Sequence, residues 1–243
     1  MRILQVKNEA EFGRRAASIL AAQITGKPDS VLGLATGSSP VGAYRQLVEW
    51  NKQGDLDFSG VTTVNLDEYC GLPKDHPQSY YAFMYENLFR HVNIDDKNVH
   101  LPDGLAEDFD AECRRYDDLI SRLGGIDLQL LGIGHDGHIG FNEPGEDFKV
   151  GTNRVKLTDE TLDANARFFQ NRDEVPRFAI TMGIRAIMQA KKILLVVIGK
   201  DKSSILFRAL RGPVTPLVQA SILQLHPDVT VVADIAALQL FER

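Results

Sequence analysis

The sequence has 243 residues, of which 44% are hydrophobic and 25% are charged, a balance typical of a globular protein. Its net charge of −6 argues against nucleic-acid and membrane partners, since both require basic patches. An anionic small substrate stays compatible with this charge, because a few local cations and helix N-termini are enough to bind a phosphate.

Short apolar runs alternate with helical patterns along the whole chain. Strands are predicted at residues 3–6, 31–35, 61–66, 126–133, 178–181, 193–198 and 229–232. Helices are predicted at residues 9–25, 41–51, 80–91, 109–123 and 202–210. This alternation predicts an α/β fold, an open and mostly parallel sheet with helices on both faces, as in a Rossmann-like three-layer sandwich.

The chain shows no repeat, low-complexity tract or linker rich in Pro, Gly or Ser, so we predict one catalytic domain over residues 1–243. Residues 146–175 are polar and lack a clear period, which is typical of a lid segment. The N-terminus has no signal-peptide pattern, and no apolar run is long enough to span a membrane. Cys70 and Cys113 form no C-x-x-C or zinc pattern, and two free thiols favour a cytoplasmic location.

Three polar segments follow predicted strands directly: residues 36–39, 67–68 and 134–143. Parallel strands point the same way, so their carboxyl ends lie along one edge of the sheet. Ligands of open parallel sheets bind beyond that edge. We therefore expect the three segments to form one site.

The first segment, within ATGSSP, has features of a phosphate-binding turn. Thr36, Ser38 and Ser39 provide hydroxyl groups, Gly37 lets the backbone approach a ligand, and the following helix presents free N–H groups. It is not a P-loop, because the Gly-Lys-Ser/Thr ending is missing. The alternative is a plain helix cap with Pro40 at the first helical position.

The second segment, within NLDEYCGL, places two adjacent carboxylates at a strand end. Adjacent side chains of an extended chain point to opposite sides, so one of Asp67 and Glu68 faces the cleft while a structural partner holds the other. A carboxylate in the cleft acts as a general base. The alternative is a charged turn that caps the next segment.

The third segment, residues 132–145, is rich in glycine and permits three interpretations. The pattern Gly132-x-Gly134-x-x-Gly137 matches the dinucleotide fingerprint, but no helix begins there, so we reject it.

Metal binding and acid–base chemistry are the two interpretations that are left. His135 and His138 could ligate a metal with Asp136 or Glu143, although H-x-x-H without a helix is a weak metal signal. Alternatively, Asp136 orients His138 by accepting its second N–H, with Glu143 close by, and His138 exchanges protons near neutral pH.

The segments ATGSSP, NLDEYCGLP, HPQSYYAFM and GIGHDGHIGFNEP, in this order, resemble the glucosamine-6-phosphate deaminase family, also called glucosamine-6-phosphate isomerases. The resemblance extends from about Arg2 to LQLHPDVTVV near the C-terminus. The related 6-phosphogluconolactonases share the fold and a Gly-Asp-Gly-His core. They usually have Ser-Leu-Phe-Pro-like residues where this chain has Phe-Asn-Glu-Pro, residues 141–144.

The resemblance implies conversion of D-glucosamine 6-phosphate and water into D-fructose 6-phosphate and ammonia, without an organic cofactor or a catalytic metal. It implies that His138 assists opening of the sugar ring, while Asp136 and Glu143 set the protonation and orientation of His138. Asp67 would carry a proton from C2 to C1. The substrate phosphate would bind the turn at residues 36–39.

Composition alone does not select the two cations that the resemblance assigns to the phosphate. These are Arg167 and Lys202, which without the resemblance would be interpreted as ordinary surface charges. Their order and spacing in the matching sequence raise them to candidate phosphate ligands.

Two departures from the family bear on regulation and assembly. Members activated by N-acetylglucosamine 6-phosphate are longer than this chain and form an activator site between subunits. The basic pair expected after Glu143 is also incomplete in GTNRVKL, residues 151–157. We therefore expect an unregulated monomer or small homo-oligomer. A lactonase of the same fold, a non-catalytic sugar-phosphate sensor and a metal-dependent hydrolase are the alternatives.

Overall fold

The computed structural model describes residues 1–241, which form ten strands and seven α-helices. The strands are β1 (Arg2–Val6), β2 (Val31–Leu34), β3 (Thr62–Asn65), β4 (Asp67–Tyr69), β5 (Val99–His100), β6 (Leu128–Leu131), β7 (Asn153–Lys156), β8 (Phe178–Thr181), β9 (Ile193–Val197) and β10 (Val229–Asp234). The helices are α1 (Glu9–Gly26), α2 (Val41–Gln53), α3 (Tyr80–Asn87), α4 (Phe109–Arg122), α5 (Asp159–Asn165), α6 (Ile184–Met188) and α7 (Ser203–Arg211).

Seven strands form the main sheet in the order β1-β10-β9-β6-β2-β3-β5, and every neighbouring pair is parallel. All five residues of β9 are buried, although successive side chains point to opposite faces, so both faces of the sheet are covered. One apolar core joins the strands to the helices, with Leu20, Leu47, Tyr116 and Leu206 fully buried. The predicted open, mostly parallel α/β fold is confirmed.

The order of the strands places the predicted site segments side by side. β9, β6, β2 and β3 are consecutive neighbours in the sheet, and each leads at its carboxyl end into one of the polar segments. Residues 36–39 follow β2, residues 132–138 follow β6, and a 3-10 turn at Lys200–Lys202 follows β9. The prediction that the segments share one edge is confirmed, and the loop after β9 joins them.

A second sheet corrects one prediction and one alternative interpretation. Residues 178–181 form a strand, β8, but this strand pairs antiparallel with β4 and β7 and lies outside the parallel sheet. Asp67 and Glu68 belong to β4 and do not form a turn, because Asp67 pairs with Thr181 and Glu68 with Ile180. A short apolar run does not show which sheet it joins, and a polar strand of three residues has no readable period.

Residues 146–175, predicted as a segment without a clear pattern, contain β7, α5 and two 3-10 turns, Ala166–Phe168 and Arg172–Glu174. Thr158 caps α5 by accepting a hydrogen bond from the N–H of Thr161. A small apolar cluster lies around this segment and is separate from the main core: Tyr69, Phe141, Leu157, Leu162, Val175 and Ala179. Its action as a lid stays a prediction. No helix within residues 1–241 combines the length and apolarity that a bilayer crossing requires.

Candidate active site

A cavity of about 530 Å³ opens at the carboxyl edge of the main sheet. Its wall is formed by the segments after β2, β3, β6 and β9, by the start of α3, and by α5 with the 3-10 turn that follows it. Nine of the ten residues predicted for the site lie in this wall: Thr36, Gly37, Ser38, Ser39, Asp67, Asp136, His138, Arg167 and Lys202. The tenth, Glu143, lies outside the wall and contacts the imidazole of His138.

The glycine-rich segment folds back around His138. The N–H of Gly134 donates to the carbonyl of His138 at 2.9 Å, and the N–H of His138 donates to Asp136 Oδ1 at 3.0 Å. A Cβ atom on Gly134 would lie 2.4 Å from the His138 ring, so only glycine lets the imidazole pack on the backbone there. The loop conformation therefore positions one side chain, His138.

Two carboxylates lie beside Nδ1 of the His138 imidazole. Its Nδ1 lies 2.8 Å from Asp136 Oδ1 and 3.5 Å from Glu143 Oε2. Nδ1 has no well-aligned hydrogen bond, so these contacts are ion pairs. Burial alone would lower the pKa of His138, but the two carboxylates outweigh it and raise the pKa to about 9. At neutral pH the side chain of His138 is therefore an imidazolium that lies between the two carboxylates.

The position of Glu143 depends on α5. Glu143 Oε1 accepts a hydrogen bond from Thr161 Oγ1 at 2.7 Å and a longer one from the N–H of Thr158 at 3.4 Å. Sequence reasoning missed Thr161, because a threonine in the first turn of a helix is common and nothing local marks it. Its buried hydroxyl links the helix that borders the cavity to the acid that contacts His138.

Asp67 is the buried carboxyl of the cavity, with 5% of the residue exposed. Burial, and then the negative charge of Glu68, raise the pKa of Asp67 to about 8, while the charge of His138 opposes them. Gly140 adopts a φ of +60°, and a Cβ there would lie 2.8 Å from Thr181 Oγ1 and 3.4 Å from Asp67 Oδ2. The absent side chain leaves room beside the carboxyl of Asp67, whose pKa is about 8.

Glu68 faces away from the cavity, as the alternation of a strand predicts. Its Oε1 accepts hydrogen bonds from the N–H groups of Tyr69 and Tyr80, and its Oε2 accepts one from the N–H of Tyr81. Tyr80 and Tyr81 begin α3, so Glu68 satisfies free N–H groups at that helix start. Of the two adjacent carboxylates, one lines the cavity and the other is structural.

Aromatic rings form the apolar part of the wall and were not predicted as site residues. Tyr80 and Phe141 stack with centroids 5.8 Å apart and planes 9° from parallel, and Tyr69 packs against both rings. All three residues line the cavity that contains Asp67. The aromatic-rich pattern at residues 80–91 predicts a helix, but it does not show that Tyr80 faces a site.

Hydroxyl groups and two cations, Arg167 and Lys202, also line the cavity. Gly37, with a φ of +87°, turns the chain between β2 and α2, and the hydroxyls of the turn precede the first turn of α2. Arg167 belongs to the 3-10 turn after α5, and its guanidinium lies 4.7 Å from the ring of Phe168. Burial lowers the pKa of Lys202, which the charges of Asp201 and Asp136 partly offset. Hydroxyl groups, free helix N–H groups and cations together suit a small anion.

The alternative in which His135 and His138 share a metal ion does not match the structure. His135 Nε2 lies 2.7 Å from Asp201 Oδ2, and His135 is not part of the group around His138. Within residues 1–241, the group that could hold a metal ion is Asp136, His138 and Glu143, with one candidate ligand atom from each inside a span of 4.8 Å. The same three residues form the ion pairs described above, so the geometry equally fits an acid–base group.

Known proteins match the chain over nearly its full length. The family model described as glucosamine-6-phosphate isomerases/6-phosphogluconolactonase matches residues 7–230. A protein of Lachnoclostridium phytofermentans named glucosamine-6-phosphate deaminase is 59% identical over 232 residues, which is 96% of this chain and 98% of the relative. The solved structure of a monomeric glucosamine-6-phosphate deaminase is 47% identical, has a TM-score of 0.96, and is matched over 99% of this chain and 100% of that chain.

A lactonase structure matches in fold. The 6-phosphogluconolactonase from Trypanosoma brucei has a TM-score of 0.74 with 18% identity, over 98% of both chains. At this identity the likeness concerns the fold alone. From the family model and the high-identity relative, the chain belongs to the family of glucosamine-6-phosphate isomerases and 6-phosphogluconolactonases.

Proposed function

We propose that this enzyme is a glucosamine-6-phosphate deaminase, which converts D-glucosamine 6-phosphate and water into D-fructose 6-phosphate and ammonia. The observation that supports this proposal most is that Asp67 and His138 line one cavity together with the cations Arg167 and Lys202. The name of the 59% identical relative supports the same reaction. The structures named as lactonases share only the fold, at 18–22% identity.

Ring opening is the first step. His138, as an imidazolium, donates a proton to the ring oxygen and takes one from the anomeric hydroxyl, which releases the open-chain aldehyde. Asp136 and Glu143 stabilise the positive charge of the imidazolium and hold its ring in place. This assigns acid–base roles to the three residues and assigns no role to a metal.

Isomerisation follows at Asp67. Its carboxylate removes the proton from C2 while the substrate ammonium gives a proton to O1, which yields an enolamine. Asp67 then returns its proton to C1, which gives the protonated imine of the ketose. Water adds to this imine at C2, and ammonia leaves. Asp67 must be ionised to start the step, and the ammonium group of the bound substrate favours its ionised form.

The phosphate group holds the sugar in a fixed position in the cavity. We assign it to Thr36, Gly37, Ser38 and Ser39, with Arg167 and Lys202 as cations. All six of these residues line the same cavity as Asp67 and His138, which supports the assignment. Binding energy from a phosphate that does not react then holds C1 and C2 beside Asp67.

The decisive experiment is incubation of the purified protein with glucosamine 6-phosphate and no added metal. Release of ammonia and fructose 6-phosphate in equal amounts is expected. Absence of both products at high enzyme concentration would contradict the proposal and favour a sugar-phosphate sensor. Hydrolysis of 6-phosphogluconolactone in a parallel assay would favour the lactonase.

We further propose that the enzyme is a cytoplasmic monomer without activation by N-acetylglucosamine 6-phosphate. The 47% identical solved structure is of a deaminase described as monomeric, which supports the monomer. Light scattering should give a mass near 27.0 kDa. A larger mass, or sigmoidal kinetics relieved by N-acetylglucosamine 6-phosphate, would contradict this part of the proposal.

We also propose that residues 146–175 act as a lid over the single catalytic domain. In support, α5 and the turn after it supply Glu160, Thr161 and Arg167 to the cavity wall. Fructose 6-phosphate should slow amide hydrogen exchange at residues 159–169 more than in β9. Equal exchange with and without the sugar would argue against a lid.

A further inference from the structure

His135 and Asp201 form a contact between two loops of the cavity that the proposed reaction does not use. His135 Nε2 lies 2.7 Å from Asp201 Oδ2. His135 belongs to the loop after β6, and Asp201 to the 3-10 turn after β9, which is the neighbouring strand. Both residues line the cavity.

Each partner is the chain neighbour of a site residue. His135 precedes Asp136, which contacts His138, and Asp201 precedes Lys202, the proposed phosphate cation. The pair therefore links the loop that carries Asp136 and His138 to the turn that carries Lys202.

The carboxylate of Asp201 is the main negative charge acting on Lys202. Among the charges that raise the pKa of Lys202, that of Asp201 comes first and that of Asp136 second. Nevertheless, Lys202 forms no ion pair with a carboxylate of residues 1–241, whereas Asp201 is bound to His135. The hydrogen bond from His135 lowers the pKa of Asp201. The negative charge of Asp201 would attract the neighbouring Lys202 if His135 did not bind it.

A glycine makes this orientation of Asp201 possible. Gly199 has a φ of +104°, and a Cβ on it would lie 2.6 Å from Asp201 Oδ1. The Asp201 carboxylate folds over the bare backbone of Gly199, whose N–H is held by Asp234 Oδ1 at 3.0 Å. The turn thus presents the carboxylate to His135 and leaves the Lys202 ammonium in the cavity wall.

We propose that His135 is a positioning residue that holds Asp201 away from Lys202, so that the Lys202 ammonium stays available to the phosphate of the substrate. This inference rests on the proposed function, because it concerns the phosphate site of that reaction. His135 touches no reacting atom in this scheme, and its effect on the substrate passes through Asp201 and Lys202.

The proposal predicts an asymmetry between the two partners. In His135→Ala, Asp201 is released and pairs with Lys202, so the KM for glucosamine 6-phosphate rises roughly five- to tenfold while kcat changes less than about twofold. In Asp201→Ala, no carboxylate is released, and the rise in KM is smaller. In the double variant, removal of Asp201 returns KM to within about threefold of the wild-type value.

The experiment measures kcat and KM of these three variants, together with inhibition by inorganic phosphate, which should weaken in His135→Ala and recover in the double variant. His91→Ala, which removes an exposed histidine elsewhere, is the matched control. His135→Gln keeps a hydrogen-bond donor for Asp201, so its KM should be close to that of the wild type. If His135→Ala folds poorly, this variant provides the measurement in its place.

The outcomes separate the two proposals. A wild-type protein that releases no ammonia refutes the function itself. An active wild type with an unchanged KM in His135→Ala refutes the positioning role. A double variant as impaired as His135→Ala also refutes it, because His135 would then act by its own contact with the phosphate or as a simple tether between the loops.

Discussion

The carboxyl of Asp67 and the imidazole of His138 are electrostatically coupled across one cavity. Burial and Glu68 raise the pKa of Asp67 to about 8, and the positive charge of His138 opposes that rise. His138 itself keeps its proton up to a pKa of about 9, because Asp136 and Glu143 outweigh the effect of burial. The ionised acid and the protonated base that the proposed reaction requires therefore coexist between these two values.

This coupling predicts a bell-shaped dependence of kcat/KM on pH. Activity should rise as Asp67 ionises around pH 8 and fall as His138 loses its proton around pH 9. The acid limb of the kcat profile should lie at lower pH than that of the kcat/KM profile, because the ammonium group of the bound substrate favours ionised Asp67. Initial rates between about pH 5 and 10.5, at fixed ionic strength, test this prediction. A flat profile from about pH 7 to 10 would contradict both assignments.

Replacing Asp67 should separate catalysis from stability. Asp67→Asn should abolish exchange of the C2 proton with solvent, while fructose 6-phosphate still binds. The folded protein holds a proton on Asp67 that the unfolded chain releases above the ordinary aspartate pKa of 3.8, so this group destabilises the fold increasingly as pH rises from 3.8 to about 8. Asp67→Asn should therefore raise Tm by several degrees near pH 8 and by little near pH 4.

The control for this experiment is Asp55→Asn, which alters an exposed aspartate outside the cavity. It should leave both exchange and Tm near the wild-type values. Retained C2 exchange in Asp67→Asn would show that another base moves the proton. An unchanged Tm near pH 8 would show that the buried carboxyl does not destabilise the fold.

Thr161→Val should reveal how far the hydroxyl of α5 supports His138. The substitution keeps the shape of the side chain and removes the donor to Glu143 Oε1, which leaves a buried acceptor with only the weaker bond from Thr158. We expect a loss of stability of about 1–2 kcal/mol and roughly a tenfold loss of kcat. Urea unfolding and steady-state rates measure the two effects. Thr25→Val, on the exposed side of α1, is the control, and a kcat equal to that of the control would remove Thr161 from the site.

The sequence predicts those structural features that depend on residues close together in the chain. Six of the seven strands of the main sheet overlap predicted apolar runs, such as residues 193–198. The edge at which their loops meet follows from parallel pairing alone. The opposite orientations of Asp67 and Glu68 also follow, because alternation is a property of any extended segment. These local patterns were sufficient to predict the α/β fold and the common edge of the site.

What the sequence did not predict involves contacts between distant segments. The bond from Thr161 to Glu143 and the contact of His135 with Asp201 each join separate loops, and no spacing encodes either of them. The antiparallel pairing of β8 with β4 depends on a three-residue polar strand that has no pattern of its own. Arg167 and Lys202 were selected by resemblance, since an isolated cation looks like any surface charge.

Lys202→Ala should weaken binding of phosphorylated ligands specifically. A half-buried ammonium that contacts a phosphate contributes roughly 1.5–3 kcal/mol, so KM for glucosamine 6-phosphate should rise about ten- to a hundredfold. The affinity for fructose 6-phosphate, measured by calorimetry, should fall by a similar factor. Lys52→Ala, at the exposed end of α2, is the control. A normal KM in Lys202→Ala would place the phosphate elsewhere in the cavity.

Chelation distinguishes the two chemistries that the group around His138 could support. Asp136, His138 and Glu143 lie close enough together to hold a cation, but a metal on Nδ1 would have to displace the ion pairs that keep His138 protonated. We expect dialysis against EDTA to leave the rate of ammonia release unchanged. Added Zn²⁺ should inhibit, because it competes with the proton for the imidazole. Loss of activity in EDTA with recovery on adding a divalent ion would instead assign the three residues to a metal centre, and His138 would no longer be the acid that opens the ring.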